Sequence, residues 1–247
     1  MERPANTWAI VAAADDFHRE HFCALVASGA ANAVVAVDGG FRHVRACGVQ
    51  PALALGDFDS LGYVPDCPQV ERHQAMKNES DLELALRRAQ EEGVGKVVLY
   101  ACLGGRLDHT LAALQTMAAA AEAGMEVQAV SLGAPAGEDP AAGPFALHVL
   151  VGPATLRIQA PPQAGTASAE DLLQGTVSVL SATDRCRGVT ERGLLYQLDN
   201  HTLTNRTSRG LSNELVGTAA EISLDEGTLF VLYPAALEAA QNRKDTL

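Results

Sequence analysis

The chain has 247 residues, 47% of them hydrophobic, enough for one large or two modest domains with a real core. Its formal net charge of −12 argues against broad binding to a nucleic-acid backbone, because neutralising phosphates takes clustered Lys and Arg and only 18 are present. The apolar runs are strand-sized or broken by polar residues and the N-terminus lacks a basic-then-apolar leader, so neither export nor membrane insertion is expected.

In chain order, Trp8–Ala13 reads as a strand, Asp15–Ser28 as a helix stopped by Gly29, and Ala33–Val37 as a second strand running into Asp38-Gly39-Gly40. A short helix over Phe41–Cys47 follows, then a strand over Ala52–Leu55 that opens into Gly56-Asp57-Phe58-Asp59-Ser60. The strongest helix runs from Asn78 to Glu92. Ser80 and Glu83 form a capping box, Leu82, Ala85, Leu86 and Ala89 share one face, and Gly93 ends it. Lys96–Cys102 is the next strand, Leu107–Ala123 a helix stopped by Gly124, and Glu126–Ser131 a fifth strand. These strands are continuous apolar runs rather than alternating ones, which predicts an α/β domain with a parallel sheet covered on both faces.

The pattern changes after Gly133. Residues 133–144 are rich in Ala, Gly and Pro and read as a linker. Beyond them come short strands: Phe145–Val151, Thr155–Ile158, Thr176–Ser181, Gly193–Leu198, Glu214–Ser223 and Thr228–Leu232. A loop is expected over Pro161–Ala169, and no long helix before Ala235, so the second half is predicted to be a mainly β domain.

The acidic loops carry the chemistry. In an open parallel sheet the ligand crevice lies beyond the C-terminal strand ends, and Asp38, Asp57, Asp59 and Asp108 all fall just past predicted strand ends. Glycines 39, 40, 56, 104 and 105 let backbone approach phosphate, while the carboxylates suit a hard cation such as Mg²⁺, which lets a nucleotide approach an acidic surface. Each loop alone also reads as an ordinary turn. Asp81, in the first turn of the capped helix, is either a simple helix-end charge or a metal ligand or substrate-amine partner. Arg106 suits charge on a phosphoryl group or a surface ion pair, and His109 a phosphate or a neighbouring carboxylate. Neither a nucleophile elbow nor a Walker A sequence is present. The five cysteines, at 23, 47, 67, 102 and 186, show no CxxC or zinc spacing; reduced structural thiols and cytoplasmic residence follow.

Taken in order, Asp38-Gly39-Gly40, the Gly56–Ser60 stretch, Lys77–Leu86 and Leu103-Gly-Gly-Arg-Leu-Asp-His109 resemble the thiamine pyrophosphokinase (thiamine diphosphokinase) family. Gly188-Val-Thr190, Gly193–Leu198 and Ser208–Glu214 continue the likeness. The resemblance implies an α/β ATP-binding catalytic domain over 1–140 and a β-sandwich thiamine-binding domain over 141–247, in a homodimer with active sites between subunits. It implies transfer of the diphosphoryl group of ATP to the thiamine hydroxyl with Mg²⁺, giving thiamine diphosphate and AMP. It places ATP at Asp38, Gly39, Gly40, Gly104, Gly105, Arg106 and His109, metal at Asp57, Asp59, Asp81 and Asp108, and thiamine at Asp81, Ser212 and Asn213. Asp57, Asp81, Arg106 and Asp108 then carry catalysis. Read bare, Ser212-Asn213 is a turn or strand-start pair.

One position departs from the pattern. Where the family shows Lys-Asp-x-Thr-Asp, this chain has Lys77-Asn78-Glu79-Ser80-Asp81, which keeps the helix cap but exchanges a carboxylate for an amide. A pyrophosphokinase acting on a pterin alcohol and a non-catalytic nucleotide-binding protein remain the alternatives. A dinucleotide binder is disfavoured because the first strand ends in Ala12-Ala-Ala-Asp15 rather than a GxGxxG turn.

Overall fold

The computed structural model describes residues 6–73, 79–133, 143–160 and 176–243. Internal contacts divide the chain into two units, Met1–Leu132 and Gly133–Leu247. The boundary expected at 140/141, the loop expected over 161–169 and the Lys77-Asn78 pair lie outside the described residues.

In the first unit, strands β1 (Thr7–Val11), β2 (Ala33–Val37), β3 (Leu53–Gly56), β4 (Gln69–Arg72), β5 (Lys96–Tyr100) and β6 (Glu126–Ser131) pair in the order β6-β5-β1-β2-β3-β4. Every pairing is parallel. The central strands are buried on both faces, with Ile10, Val35, Leu55, Val98 and Leu99 at the centre of the core, as continuous apolar runs require. Helices α1 (Arg19–Ala27), α2 (Gly40–Ala46), α3 (Asp81–Glu91) and α4 (Leu107–Glu122) connect them. The Ser80 hydroxyl caps α3 by accepting from the Glu83 N–H at 3.2 Å, and α3 buries Leu82, Leu84, Ala85, Leu86 and Ala89.

Two expectations for the first unit need correction. The first helix begins at Arg19, not Asp15, because Asp16 is drawn inward: its carbonyl accepts from the Leu132 N–H at 2.8 Å and its carboxylate from the Leu103 N–H at 3.2 Å. β4 was not expected; it is a short, largely exposed edge strand whose polar sequence carries no strand signal.

The strand order creates the crevice. The chain steps outward from β1 through β2 and β3 to β4, then α3 returns it to β5 on the other side of β1. The loops after β1 and β5 therefore diverge at a topological switch point, where open α/β sheets bind ligands.

The second unit contains only strands among its described residues. One antiparallel sheet runs β12 (Asn213–Glu214), β9 (Thr176–Ser181), β14 (Thr228–Pro234), β7 (Phe145–Val151). The other runs β11 (Leu198–Leu203), β10 (Cys186–Arg192), β13 (Ala219–Leu224), β8 (Ala154–Gln159), β15 (Glu238–Arg243). The two meet where His148 Nε2 lies 2.6 Å from Gln241 Oε1 and the Cys186 thiol reaches the Thr228 carbonyl at 3.1 Å. The strand expected over Gly193–Leu198 is a connection between β10 and β11, and the one expected over Glu214–Ser223 is split at Gly217, whose φ is +91°. Among the described residues no helix is long and apolar enough to cross a membrane.

Candidate active site

Parallel pairing of β2 with β3 brings the loops after them side by side. Asp38 follows β2 directly, its N–H donating to the Leu55 carbonyl at 2.8 Å. A Cβ at Gly56 would lie 3.2 Å from Asp38 atoms, and one at Gly40 only 2.0 Å from the Val11 carbonyl oxygen, so both loops need glycine to come this close. In consequence Asp38, Asp57 and Asp59 each present a carboxylate oxygen within 4.8 Å of the others. Local hydrogen bonds hold the group: Ser60 Oγ donates to Asp38 Oδ2 at 2.8 Å, and the Asp59 N–H donates to Asp57 Oδ1 at 3.0 Å. Asp38 Oδ1 is buried and has no hydrogen-bond partner. An all-oxygen group with one orphaned buried oxygen fits a hard divalent cation.

Backbone strain gathers at the same edge. Asp38, Phe58 and Ala101 have φ of 47°, 62° and 55°, a left-handed region that residues other than Gly, Asn and Asp disfavour, so the strain lies at Phe58 and Ala101. All three immediately follow strands or lie in the adjoining loop.

A cleft of about 620 Å³ opens at the switch point, lined by Asp15, Asp38, Asp81, Arg106, Asp108 and His109 among others, with Gly104 and Gly105 in its wall. Gly104 packs on Asp16, where a Cβ would meet the carboxylate at 2.9 Å. Arg106 sits at the N-terminus of α4 and grips Asp108 with two bonds, Nε to Oδ1 at 3.1 Å and Nη2 to Oδ2 at 2.6 Å. That hydrogen-bonded ion pair holds the Asp108 carboxyl below the usual carboxylate range and pushes the guanidinium up. Cys102 also lines the cleft, but burial pushes its thiol up, with the Asp16 charge adding to the effect, so it stays neutral and is no nucleophile. A neighbouring recess of about 740 Å³ is lined by Asp57, Asp59, Arg72 and His73 together with Phe58, Gly62, Tyr63 and Val64.

The structure thus groups Asp38 with Asp57 and Asp59, whereas Asp81 and Asp108 line the cleft outside that trio. Gly39 and Gly40 form the tight start of α2. In the second unit, Ser212 is exposed with a φ of 55°, and Asn213 is buried. The Asn213 amide is saturated: Oδ1 accepts from the N–H groups of Tyr196 and Glu214 at 2.9 and 3.0 Å, and Nδ2 donates to the Tyr196 carbonyl at 2.7 Å and Glu191 Oε2 at 3.1 Å. Asn213 therefore acts on a ligand only through the segment it holds. Asp16, His73 and Glu191 were not singled out from the sequence; Glu191 stands next to Arg192 in a segment that does not read as a strand, so its burial has no local signal.

Residues 27–129 match the family model described as thiamin pyrophosphokinase, catalytic domain, and residues 157–229 match that of the thiamin pyrophosphokinase vitamin B1 binding domain. The chain belongs to the thiamin pyrophosphokinase family. Within that family it is 23% identical over 204 residues to thiamine pyrophosphokinase of Bacillus subtilis (strain 168), covering 80% of this chain and 85% of the relative. Its fold is similar to the crystal structure of thiamine pyrophosphokinase from Bacillus subtilis, with a TM-score of 0.71 at 21% identity over 92% of this chain and 98% of the other. The yeast thiamin pyrophosphokinase structure matches with a TM-score of 0.66 at 13% identity, over 94% and 87% of the two chains. The catalytic-domain match lies wholly within the first unit and the vitamin B1 binding match within the second. Neither the pterin alcohol nor the non-catalytic reading finds support among these thiamin pyrophosphokinase matches.

Proposed function

We propose that the chain transfers the diphosphoryl group of ATP to the hydroxyl of thiamine, releasing AMP and thiamine diphosphate. The observation that carries this reading is the Asp38, Asp57, Asp59 trio at the strand ends of a chain matched by both thiamin pyrophosphokinase domain models. The first unit is the nucleotide-binding half, its switch-point cleft receiving ATP against Gly104, Gly105 and His109, and the second unit is a β-sandwich that binds thiamine.

The trio, with Asp81 and Asp108 nearby, would hold Mg²⁺. That ion, when bound, neutralises phosphate charge that the carboxylates would otherwise repel. The chain's residues do the rest by positioning. Asp108 uses two guanidinium N–H groups of Arg106 and fixes its plane, leaving other donors for phosphoryl oxygens. The thiamine hydroxyl attacks the β-phosphorus in line, the new O–P bond forms, the bond to the α-phosphate oxygen breaks, and the hydroxyl proton passes to a carboxylate, Asp57 or Asp81. A homodimer with active sites between subunits belongs to the same reading and is supported by exposed Leu195, Tyr196, Leu211 and Val216 in the second unit. Cytoplasmic residence rests on the five free thiols.

The test is ³¹P NMR of the purified protein with ATP, Mg²⁺ and thiamine. AMP and thiamine diphosphate should form in equal amounts; ADP in place of AMP would move the attack to the γ-phosphorus and overturn the assignment.

A further inference from the structure

Glu191 in β10 is 1% exposed, yet only one of its two carboxyl oxygens is engaged. Oε2 accepts from Asn213 Nδ2 at 3.1 Å, while Oε1 is buried with no hydrogen-bond partner. Burying a carboxyl half-satisfied is costly, and a hydrophobic residue at this inward position of β10 would pack without that cost. What the carboxyl touches is the Asn213 amide, and that amide determines the backbone of two exposed segments. It closes on both the N–H and the C=O of Tyr196, whose side chain is 70% exposed, and it accepts from the Glu214 N–H two residues beyond the left-handed Ser212. Supporting bonds run between the same segments, the Leu195 N–H to the Glu214 carbonyl at 2.9 Å and the Val216 N–H to the Gly193 carbonyl at 2.8 Å, while the Ser212 N–H donates to Ser178 Oγ of β9 at 3.0 Å.

We infer that Glu191 is a positioning residue, which through the Asn213 amide holds Tyr196 and Glu214 in the conformation that receives the alcohol substrate. An amide can be turned end for end, and the reversed Asn213 would lose its three bonds to the backbone of Tyr196 and Glu214; Glu191 Oε2 is the fourth partner and the one side chain among them that adds to the observed orientation. Burial pushes the Glu191 carboxyl up to about 7, so it is uncharged over part of the neutral range and still accepts through Oε2. The inference rests on the reading that the second unit binds thiamine.

Three variants test it: Glu191→Gln keeps an acceptor oxygen, Glu191→Asp withdraws it by one methylene, and Glu191→Leu removes it. Steady-state kinetics should show KM for thiamine raised at least tenfold in Glu191→Asp and Glu191→Leu, with KM for ATP unchanged and Glu191→Gln within about twofold of wild type. An unchanged KM for thiamine in a folded Glu191→Asp, or an equal rise in both KM values, overturns the inference. Hydrogen exchange at the Tyr196 and Glu214 amides needs no substrate and should accelerate at least tenfold in Glu191→Asp. Protection equal to wild type overturns the positioning role even if wild type makes no thiamine diphosphate, the result that would instead defeat the functional reading.

Discussion

Replacing Asp38 by Asn should make the metal-free protein more stable and remove its response to Mg²⁺. Two like-charge pairs end with this change, Asp38 with Asp57 and Asp38 with Asp59, their oxygens within 4.8 Å. At that separation each pair costs about 0.9 kcal/mol at the dielectric of water and about 3.5 kcal/mol at an effective value of about 20. Asp59 is exposed and can swing away, so the lower end applies and the expected gain is about 2 kcal/mol. Asn keeps an oxygen to accept from Ser60 Oγ and tolerates the left-handed φ of 47° at this position, so the backbone has no reason to move. For a chain of this length that gain raises Tm by about 4 to 8 °C. Mg²⁺ acts in the opposite sense. At a hundredfold excess over Kd, binding stabilises wild type by about 2.7 kcal/mol, or about 5 to 11 °C. Thermal unfolding followed by circular dichroism, with and without Mg²⁺, measures all four states. An apo Asp38→Asn protein no more stable than wild type, with an undiminished Mg²⁺ shift, would refute the trio as an electrostatically strained cation site.

Gly40→Ala puts a Cβ 2.0 Å from the Val11 carbonyl oxygen, a backbone atom that cannot step aside, so urea unfolding should show a loss of about 3 kcal/mol and reduced turnover. Arg106→Ala should lower kcat about a hundredfold while Tm stays within a degree or two, because the Arg106–Asp108 pair is exposed; the Asp108 carboxyl, followed by ¹³C NMR, should titrate at higher pH once the guanidinium is gone. The Glu191 carboxyl titrates at about 7 folded against an ordinary 4.5, so its folded form favours the proton. Stability is therefore full below about 4.5 and is lost as pH rises through about 7. Urea unfolding of the second unit at pH 5 and pH 8 should show this decline in wild type and a flat response in Glu191→Gln.

The first unit was legible because buried parallel strands announce themselves. Val34–Val37 and Val97–Leu99 admit no polar residue, and the Ser80 cap with its apolar face located α3, which begins at Asp81 rather than Asn78 and ends at Glu91. Edges and turns were less so. Gln69–Arg72 is a strand because it pairs with β3, not because Gln, Glu and Arg favour extended backbone, and Glu238–Arg243 is one because β8 offers it a partner. At Gly193-Leu-Leu-Tyr196 the apolar residues suggested a buried strand, yet Leu195 and Tyr196 are more than half exposed. A pair of connecting segments closing on Asn213 has no local signature. Proximity of the GDFDS loop to Asp38 could be read from strand-end placement, but which carboxylates share a cation-sized space depends on β2 lying directly beside β3.

The distribution of unsatisfied polar atoms bears on whether these loops are ordinary turns. Among the described residues, five buried side-chain nitrogen or oxygen atoms lack a hydrogen-bond partner. Arg88 Nε at least has Glu71 Oε1 at 2.9 Å in an ion pair. The others belong to Asp16 behind the cleft, Asp38 in the trio, His73 in the adjoining recess, and Glu191 beneath the Tyr196 and Ser212 segments. Ordinary turns do not store such costs, since a solvated Asp or Gly turn leaves no buried oxygen unpaired. Of the five non-glycine left-handed residues, Asp38, Phe58, Ala101 and Ser212 fall in the same places, while Asn200, a residue type that tolerates this conformation, lies in β11. Desolvated carboxyls and strained backbone persist where binding compensates for them, and under the proposed function they fall in the unit assigned to ATP and in the unit assigned to thiamine.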